Sequence, residues 1–230
     1  MSARRLASTL VFAAWAGAFW WLIVTDRSSL YLAGRTAWVI PVGAVVMSVA
    51  TIGRLVTARA ADSNPLKPTE LGGLVVILIP VVVIAASPTA SLGSFAVDRR
   101  ASFASAFVSS SDDLSTGKLT LADVAGATRV PELMKALVAR AGSRVSFVGF
   151  VDRAEGMAAD EFMLTRFMIS CCVADALTVQ VRVIGAPPGV FEPDEWVRVT
   201  GDLYPVEREV LVDATSVEAV PRPEDPYLNP

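Results

Sequence analysis

The stretch LTVQVRVI at residues 177–184 decides the fold, because apolar and polar side chains alternate along it. A period of two is typical of a β-strand that buries one face and exposes the other. Four more stretches surround it with the same strand-like pattern: VSFVGFV at 145–151, EFMLTRFMI at 161–169, WVRVTG at 196–201 and VLVDATSVEAV at 210–220. The sequence therefore predicts five strands between residues 145 and 220.

Five short strands in one small domain indicate a β-barrel, and a β-sandwich is the alternative. Gly149 and Gly201 lie inside two of the strands, where a barrel must bend or where strands approach closely. The order and spacing of the strands favour a five-stranded barrel of the OB type.

Two short helices are predicted before the barrel. One starts at TLAD, residues 120–123, and the other covers PELMKALVAR, residues 131–140, with Pro131 at its first position and Gly142 after its end. Leu133, Met134 and Leu137 share a face at helical spacing, which predicts packing against the core.

The N-terminal part is strongly apolar, and it raises the mean hydropathy of the chain to +0.52. Three stretches, 6–24, 36–53 and 71–90, approach the ~20 apolar residues that a helix needs to cross a bilayer. The first could be a cleaved signal peptide, but its apolar run continues through WWLIV at 20–24, which favours an anchor. We therefore expect an α+β membrane protein, with transmembrane helices followed by a small OB-like barrel domain with short helices.

Basic residues flank the predicted spans unequally. Arg4 and Arg5 precede the first span and Arg54, Arg59 and Lys67 follow the second, whereas the hairpin between the spans holds Arg27 and Arg35. By the positive-inside rule the N-terminus is cytoplasmic, and three crossings then place the C-terminal domain outside the cytoplasm. The predicted location is the cell (inner) membrane, multi-pass and in contact with membrane lipid.

Charge divides the chain at about the same point. Residues 1–90 hold seven Lys or Arg and three Asp or Glu, net +4, and residues 91–230 hold thirteen and twenty, net −7. An acidic outer domain argues against nucleic-acid binding, which needs a basic face. We predict three regions: the membrane region at 1–90, a Ser/Ala-rich linker at 91–117, and the barrel domain at 118–230 with a proline-rich tail that wraps the barrel or contacts a partner.

The only two cysteines, Cys171 and Cys172, are adjacent, and the chain has no histidine. On an extended strand their side chains would point to opposite faces, so both can meet one ion only if the strand ends or bends between them. Four interpretations stay open: buried packing, a thiolate metal site, a vicinal disulfide or redox pair, and an intermolecular disulfide or lipid attachment.

In the metal interpretation, Cys171, Cys172 and Asp175 are the candidate ligands for a divalent ion such as zinc, with a partner chain completing the coordination. Arg166 is a supporting candidate, because a nearby guanidinium would lower the pKa of the thiols. Arg166 either faces solvent or pairs with a carboxylate.

Catalysis is not expected. Without histidine the chain lacks the usual base for hydrolysis, and it has no nucleophile-elbow pattern and no Cys-x-x-Cys pair. Three helices almost free of polar groups at membrane depth also make a poor transporter on their own.

The spans, VSFVGFV at 145–151, RFMISCCVADA at 166–176, WVRVTG at 196–201 and PEDPY at 223–227 together resemble the family of predicted permease subunits of the YcgQ type. The resemblance covers most of the chain, and RFxxxCCxADA is its most specific part. It implies pairing with a larger multi-span permease and a link to metal-ion homeostasis.

The functional hypothesis is an accessory subunit of a membrane permease, whose outer domain binds or hands over a metal cation. The alternatives are a membrane-anchored thiol redox protein or sensor that uses Cys171 and Cys172, and a purely structural assembly subunit.

Overall fold

The computed structural model describes residues 3–57, 68–86, 91–100, 114, 117–206 and 209–229. The chain divides into two compact units, Met1–Thr89 and Ala90–Pro230. The first unit is helical and the second contains all the strands. The predicted class, apolar N-terminal helices followed by a small barrel domain with short helices, is confirmed.

The helical unit contains α1, Ala3–Val24, α2, Val39–Val56, and α3, Pro68–Ala86. All three are long and apolar enough to cross a membrane, and most of their side chains are not buried within the chain. They match the predicted stretches 6–24, 36–53 and 71–90, although 87–90 lies outside the described residues. Three such helices indicate membrane insertion.

Hydrogen bonds from two tryptophans join these helices. The indole N–H of Trp15 on α1 donates to the Ile77 carbonyl of α3 at 3.2 Å, and that of Trp20 donates to the Ser48 hydroxyl of α2 at 3.2 Å. Ala44 of α2 is fully buried. In an apolar environment such contacts replace the hydrogen bonds that water would otherwise make.

The second unit is built on a closed barrel of five strands in the order β1-β2-β3-β5-β4. The strands are β1, Arg144–Asp152; β2, Phe162–Met168; β3, Leu177–Ile184; β4, Trp196–Val206; and β5, Glu209–Ala219. All neighbours pair antiparallel except β3 and β5, which pair parallel. This is the predicted OB-like barrel, so the sandwich alternative is wrong.

Alternating apolar positions fill the barrel. Val179, Val181 and Val183 of β3 are at most 2% exposed and face the interior beside Phe162 and Leu164 of β2, which are fully buried. The polar residues of β3 alternate with these valines and lie on the outer side of the barrel: Thr178, Gln180 and Arg182. The alternation in LTVQVRVI therefore arises, as predicted, because one face of β3 lines the barrel interior and the other lies outside.

Gly149 and Gly201 occupy the positions where strands come closest. A Cβ at Gly149 would lie 2.7 Å from the Thr165 carbonyl oxygen of β2, and a Cβ at Gly201 would overlap the Asp213 carbonyl of β5. The β4–β5 register shifts between Thr200 and Gly201, which bends β4 so that it can pair with both β1 and β5. The prediction for both glycines is confirmed.

Two short helices, α5, Leu121–Ala127, and α6, Pro131–Val138, precede the barrel. The first starts with a capping box: the Asp123 backbone N–H donates to the Thr120 hydroxyl at 3.1 Å, and the Thr120 backbone N–H donates to the Asp123 carboxylate at 3.0 Å. On the second helix Leu137 is fully buried against the core, as its spacing predicts.

Within the predicted linker, 91–117, the described residues make packing contacts and backbone hydrogen bonds. Residues 91–100, which we call the strap, contain α4, Ser94–Val97, and Val97 is buried. Leu114 is 1% exposed, and its carbonyl accepts a hydrogen bond from the Arg140 guanidinium at 3.0 Å. These contacts use backbone groups and isolated apolar side chains, which leave no periodic signal in the sequence. The rest of 101–116 lies outside the described residues.

Candidate functional site

Both cysteines lie in the connection between β2 and β3. We call residues 169–176 the cysteine loop; it contains a single 3₁₀ turn, Val173–Asp175. Its ends are anchored, because Ile169 is fully buried and Ala176 is 3% exposed, whereas Cys171 is exposed and Cys172 is half-buried. The loop therefore presents the sulfur atoms at the surface of a fixed frame, and the interpretation of Cys171 as buried packing is wrong.

The Asp175 carboxylate closes the loop. One of its oxygens accepts the Ser170 backbone N–H at 2.9 Å, and the other accepts the Cys171 backbone N–H at 2.8 Å. Burial alone would raise the pKa of Asp175, but hydrogen bonds from the Cys171 thiol and from the backbone N–H groups outweigh it and lower that pKa. Asp175 is thus an anion that holds the loop in shape.

The two sulfur atoms lie side by side, 3.8 Å apart. A disulfide needs about 2.05 Å, so both residues are free thiols. They meet because β2 ends at Met168 and the chain turns before Cys172, so the alternation of an extended strand no longer separates them. The bend that the metal hypothesis requires is present.

The pKa of Cys171 is raised to about 11, from 9.0 for an ordinary thiol. The largest cause is the hydrogen bond that the thiol makes with Asp175, followed by its hydrogen bond with Cys172. Both favour the protonated thiol over the thiolate. At neutral pH the Cys171 thiol therefore keeps its proton until something displaces it.

The sulfur separation suits two ligands of one tetrahedral ion. With zinc–sulfur bonds of about 2.3 Å, two thiolates on one tetrahedral zinc lie about 3.8 Å apart. Within the described residues, however, no group of three or more His, Cys, Asp or Glu could hold a metal ion. The loop supplies at most half of a tetrahedral site, and Asp175, the third candidate ligand, has both oxygens turned to backbone N–H groups.

Arg166 lies on β2 and serves the C-terminal tail, which we define as residues 221–229. Its guanidinium donates to the carbonyls of Asp225 at 2.6 Å and Pro226 at 3.2 Å, and it lies over the Trp196 ring at 5.7 Å. Burial lowers the pKa of Arg166, and the charge of Asp225 partly offsets that effect. Arg166 is half-buried on the outer side of β2, and none of the causes that set the Cys171 pKa comes from Arg166.

The tail continues the sheet at the end of β2. The Leu228 backbone N–H donates to the Phe167 carbonyl at 2.8 Å, and the Ile169 backbone N–H donates to the Leu228 carbonyl at 3.0 Å. Tyr227 is 6% exposed, and its hydroxyl accepts the Leu92 backbone N–H of the strap. The tail wraps the barrel, as one of the two predicted alternatives states, and fixes the residue from which the cysteine loop departs.

The strap also contacts the cysteine loop, which sequence reasoning did not find. The Arg100 guanidinium donates to the Ala174 carbonyl at 2.9 Å, in the 3₁₀ turn between the cysteines and Asp175. The Thr178 hydroxyl, just after the loop, donates to the Val97 carbonyl at 3.5 Å. The signal in the sequence was a small group of apolar and basic residues in a Ser/Ala-rich stretch: Leu92, Phe95, Val97, Arg99 and Arg100.

We expect Asp175→Asn to lower the pKa of Cys171 from about 11 toward 9.0, because the carboxylate that stabilises the protonated thiol is lost. More thiolate is then present at pH 8, so iodoacetamide should alkylate Cys171 several-fold faster. Site-resolved mass spectrometry of the full chain measures the rate of Cys171 alkylation at each pH between 7 and 11. Asp160→Asn, an exposed carboxylate in another loop, is the control, and an unshifted Cys171 profile in Asp175→Asn contradicts the assignment.

We expect Arg166→Lys to loosen the tail, because one ammonium cannot hold both carbonyls in the geometry of the guanidinium fork. The loss of one charged hydrogen bond corresponds to about 1.5–3 kcal/mol. Hydrogen exchange followed by mass spectrometry should show faster exchange at the amides of Ile169 and Leu228. Arg198→Lys, at an exposed position, is the matched control, and equal protection in both variants would refute the role of Arg166.

Residues 108–230 match the family model described as the DUF1980 C-terminal domain. The match contains the whole barrel, the cysteine loop and the tail. A comparison with curated proteins finds no match for this chain.

Proposed function

The chain belongs to the DUF1980 family, and from that premise we propose that it is a membrane-anchored accessory subunit of a permease. In this proposal the barrel domain uses Cys171 and Cys172 to bind a soft divalent cation such as zinc and to hand it to a larger partner subunit. The partner supplies the ligands that this chain lacks.

One observation carries the proposal: two free thiols lie 3.8 Å apart at an accessible surface. Thiolates are preferred ligands of zinc and related soft ions, and this separation needs little rearrangement for both to bind one ion. The anchored loop ends and the Asp175 hydrogen bonds support a preformed arrangement. Two ligands from one chain leave room for ligands from another.

The state of the thiols supports transfer more than storage. Because the pKa of Cys171 is about 11, a metal ion must displace its proton, which weakens binding at neutral pH. An incomplete and exposed site also exchanges its ion readily with a site that offers more ligands. Both properties suit a subunit that passes a cation on.

The alternative of a thiol redox protein has less support. Such proteins use an accessible thiolate of lowered pKa, whereas the pKa of Cys171 is raised. Adjacent cysteines would also have to close a small ring from a sulfur separation of 3.8 Å. A purely structural subunit is the remaining alternative, and it predicts that neither thiol matters for metal binding.

The helices support an accessory role better than transport by this chain alone. Their charged residues, such as Arg54 in the last turn of α2 and Glu70 in the first turn of α3, stand near the ends. The segments between are apolar, and a pathway for ions needs polar groups at membrane depth.

The first test is metal binding by the full chain, reduced and in detergent micelles. Cobalt should give a sulfur-to-metal charge-transfer band that zinc displaces, and affinity should rise with pH because binding releases thiol protons. We expect Cys171→Ser or Cys172→Ser to abolish the band and to weaken zinc binding at least tenfold.

Glu155→Gln removes an exposed carboxylate from another loop and is the control for unspecific binding. It should leave the cobalt charge-transfer band and the zinc affinity unchanged. Zinc affinity that is equal in the wild type and in the double serine variant would refute the metal-binding role and leave the structural alternative.

In the proposed orientation the N-terminus is cytoplasmic, the three helices cross the cell (inner) membrane, and the barrel domain is outside the cytoplasm. A membrane-impermeant maleimide should then label intact cells in the presence of a chelator. Cys171 and Cys172 are the only cysteines, so the double serine variant gives the background. Labelling that appears only after permeabilisation would overturn this orientation.

A further inference from the structure

A polar cleft lies on the outer side of the barrel. It has a volume of about 450 Å³, and we call it the basic cleft. Four cationic side chains line it, those of Lys118, Arg140, Arg144 and Arg198. The rest of the lining is one hydroxyl, that of Ser146, and three apolar residues, among them Val148 on the outer side of β1. Among its described lining residues none is acidic. This is unexpected in a region, residues 91–230, whose net charge is −7.

Barrel pairing brings these cations together from distant parts of the chain. Arg144, Ser146 and Val148 alternate along the outer side of β1, and Val148 pairs with Arg198 of β4. Lys118 comes just before α5, and Arg140 comes just after α6. The floor is therefore a strand pair, and the two helical segments supply the rim.

The four cations differ in what they already bind. The Arg140 guanidinium donates to the carbonyls of Leu114 and Gly117, so it has a structural role. Arg144 pairs with Asp202 at 3.3 Å, and both side chains are partly exposed. A half-exposed pair of this kind leaves donors of the guanidinium available for another anion.

Lys118 and Arg198 make no ion pair or side-chain hydrogen bond with any other described residue. Glu218 is opposite Arg198 in the β4–β5 register, but its carboxylate accepts the Ser216 hydroxyl at 3.1 Å. Two exposed cations thus face the same cleft without a partner carboxylate. They can move toward an anion without breaking an ion pair or a side-chain hydrogen bond to a described residue.

We propose that the basic cleft binds a phosphate-bearing anion, either the headgroup of an anionic lipid or a free phosphate compound. Guanidinium groups match the geometry of phosphate oxygens, and an ammonium adds a mobile point charge. The Ser146 hydroxyl, which lies 3.2 Å from the Thr200 hydroxyl, offers a neutral donor on the floor. Binding would also relieve the mutual repulsion of the four cations.

This inference is independent of the cysteine loop and of the proposed metal transfer. The residues involved are on β1, β4 and the helical segments, whereas the cysteines connect β2 and β3. A failure of either proposal therefore leaves the other in place.

The test uses the full chain in two arms. In the first, the chain in phosphatidylcholine nanodiscs is titrated with inorganic phosphate and pyrophosphate by calorimetry. In the second, native mass spectrometry counts phosphatidylglycerol retained from mixed nanodiscs. Binding in the first arm assigns a soluble phosphate compound and binding in the second assigns a lipid headgroup, and either supports the proposal.

The deciding variant is Lys118→Gln with Arg198→Gln, which should weaken the observed binding about tenfold because two charge-assisted contacts are lost. The matched control is Arg129→Gln with Lys135→Gln, which removes two exposed cations elsewhere on the domain and should leave binding unchanged. Both variants should keep the unfolding temperature of the wild type. Equal weakening in the two variants, or no binding in either arm, overturns the proposal.

Discussion

The short pairing between β1 and β2 is the constraint on which the rest of the barrel domain depends. Three residue pairs join these strands, from Phe150 with Thr165 to Asp152 with Met163, whereas the preceding part of β1 pairs with β4. The end of β2 would be left with unpaired backbone groups at Phe167 and Ile169, and Leu228 of the tail bonds both. Without the tail, an unpaired edge would lie next to the cysteines.

The composition of the tail explains why Arg166 is needed. A proline has no backbone N–H, so a segment with Pro221, Pro223 and Pro226 cannot extend a sheet by regular pairing. Leu228 makes the ladder bonds, and the Arg166 guanidinium satisfies two carbonyls that the ladder cannot reach. The arginine thereby positions the start of the cysteine loop, through the backbone and not through the charge of the thiols.

The cysteine loop and the basic cleft use charge in opposite ways. In the loop, the Asp175 anion accepts backbone N–H groups with both oxygens and keeps a neighbouring thiol protonated. In the cleft, Lys118 and Arg198 are cations without an ion-pair partner among the described residues, inside an acidic domain. The proposed exchange of a proton for a metal cation rests on the first arrangement, and the proposed binding of an anion rests on the second.

The sequence by itself determined the elements that depend on consecutive residues. These are the three apolar helices, the five strands and the two close approaches at Gly149 and Gly201, because periodicity, hydropathy and missing side chains are local properties. For Cys171 and Cys172 the sequence set only a condition, that the strand must end or bend between them, and the structure shows that their sulfur atoms meet. Only the tertiary structure decided the partner of Arg166, the packing of the strap and the convergence of Lys118 with Arg198. Those contacts join residues far apart in the chain, and only the closure of the barrel brings them within reach of one another.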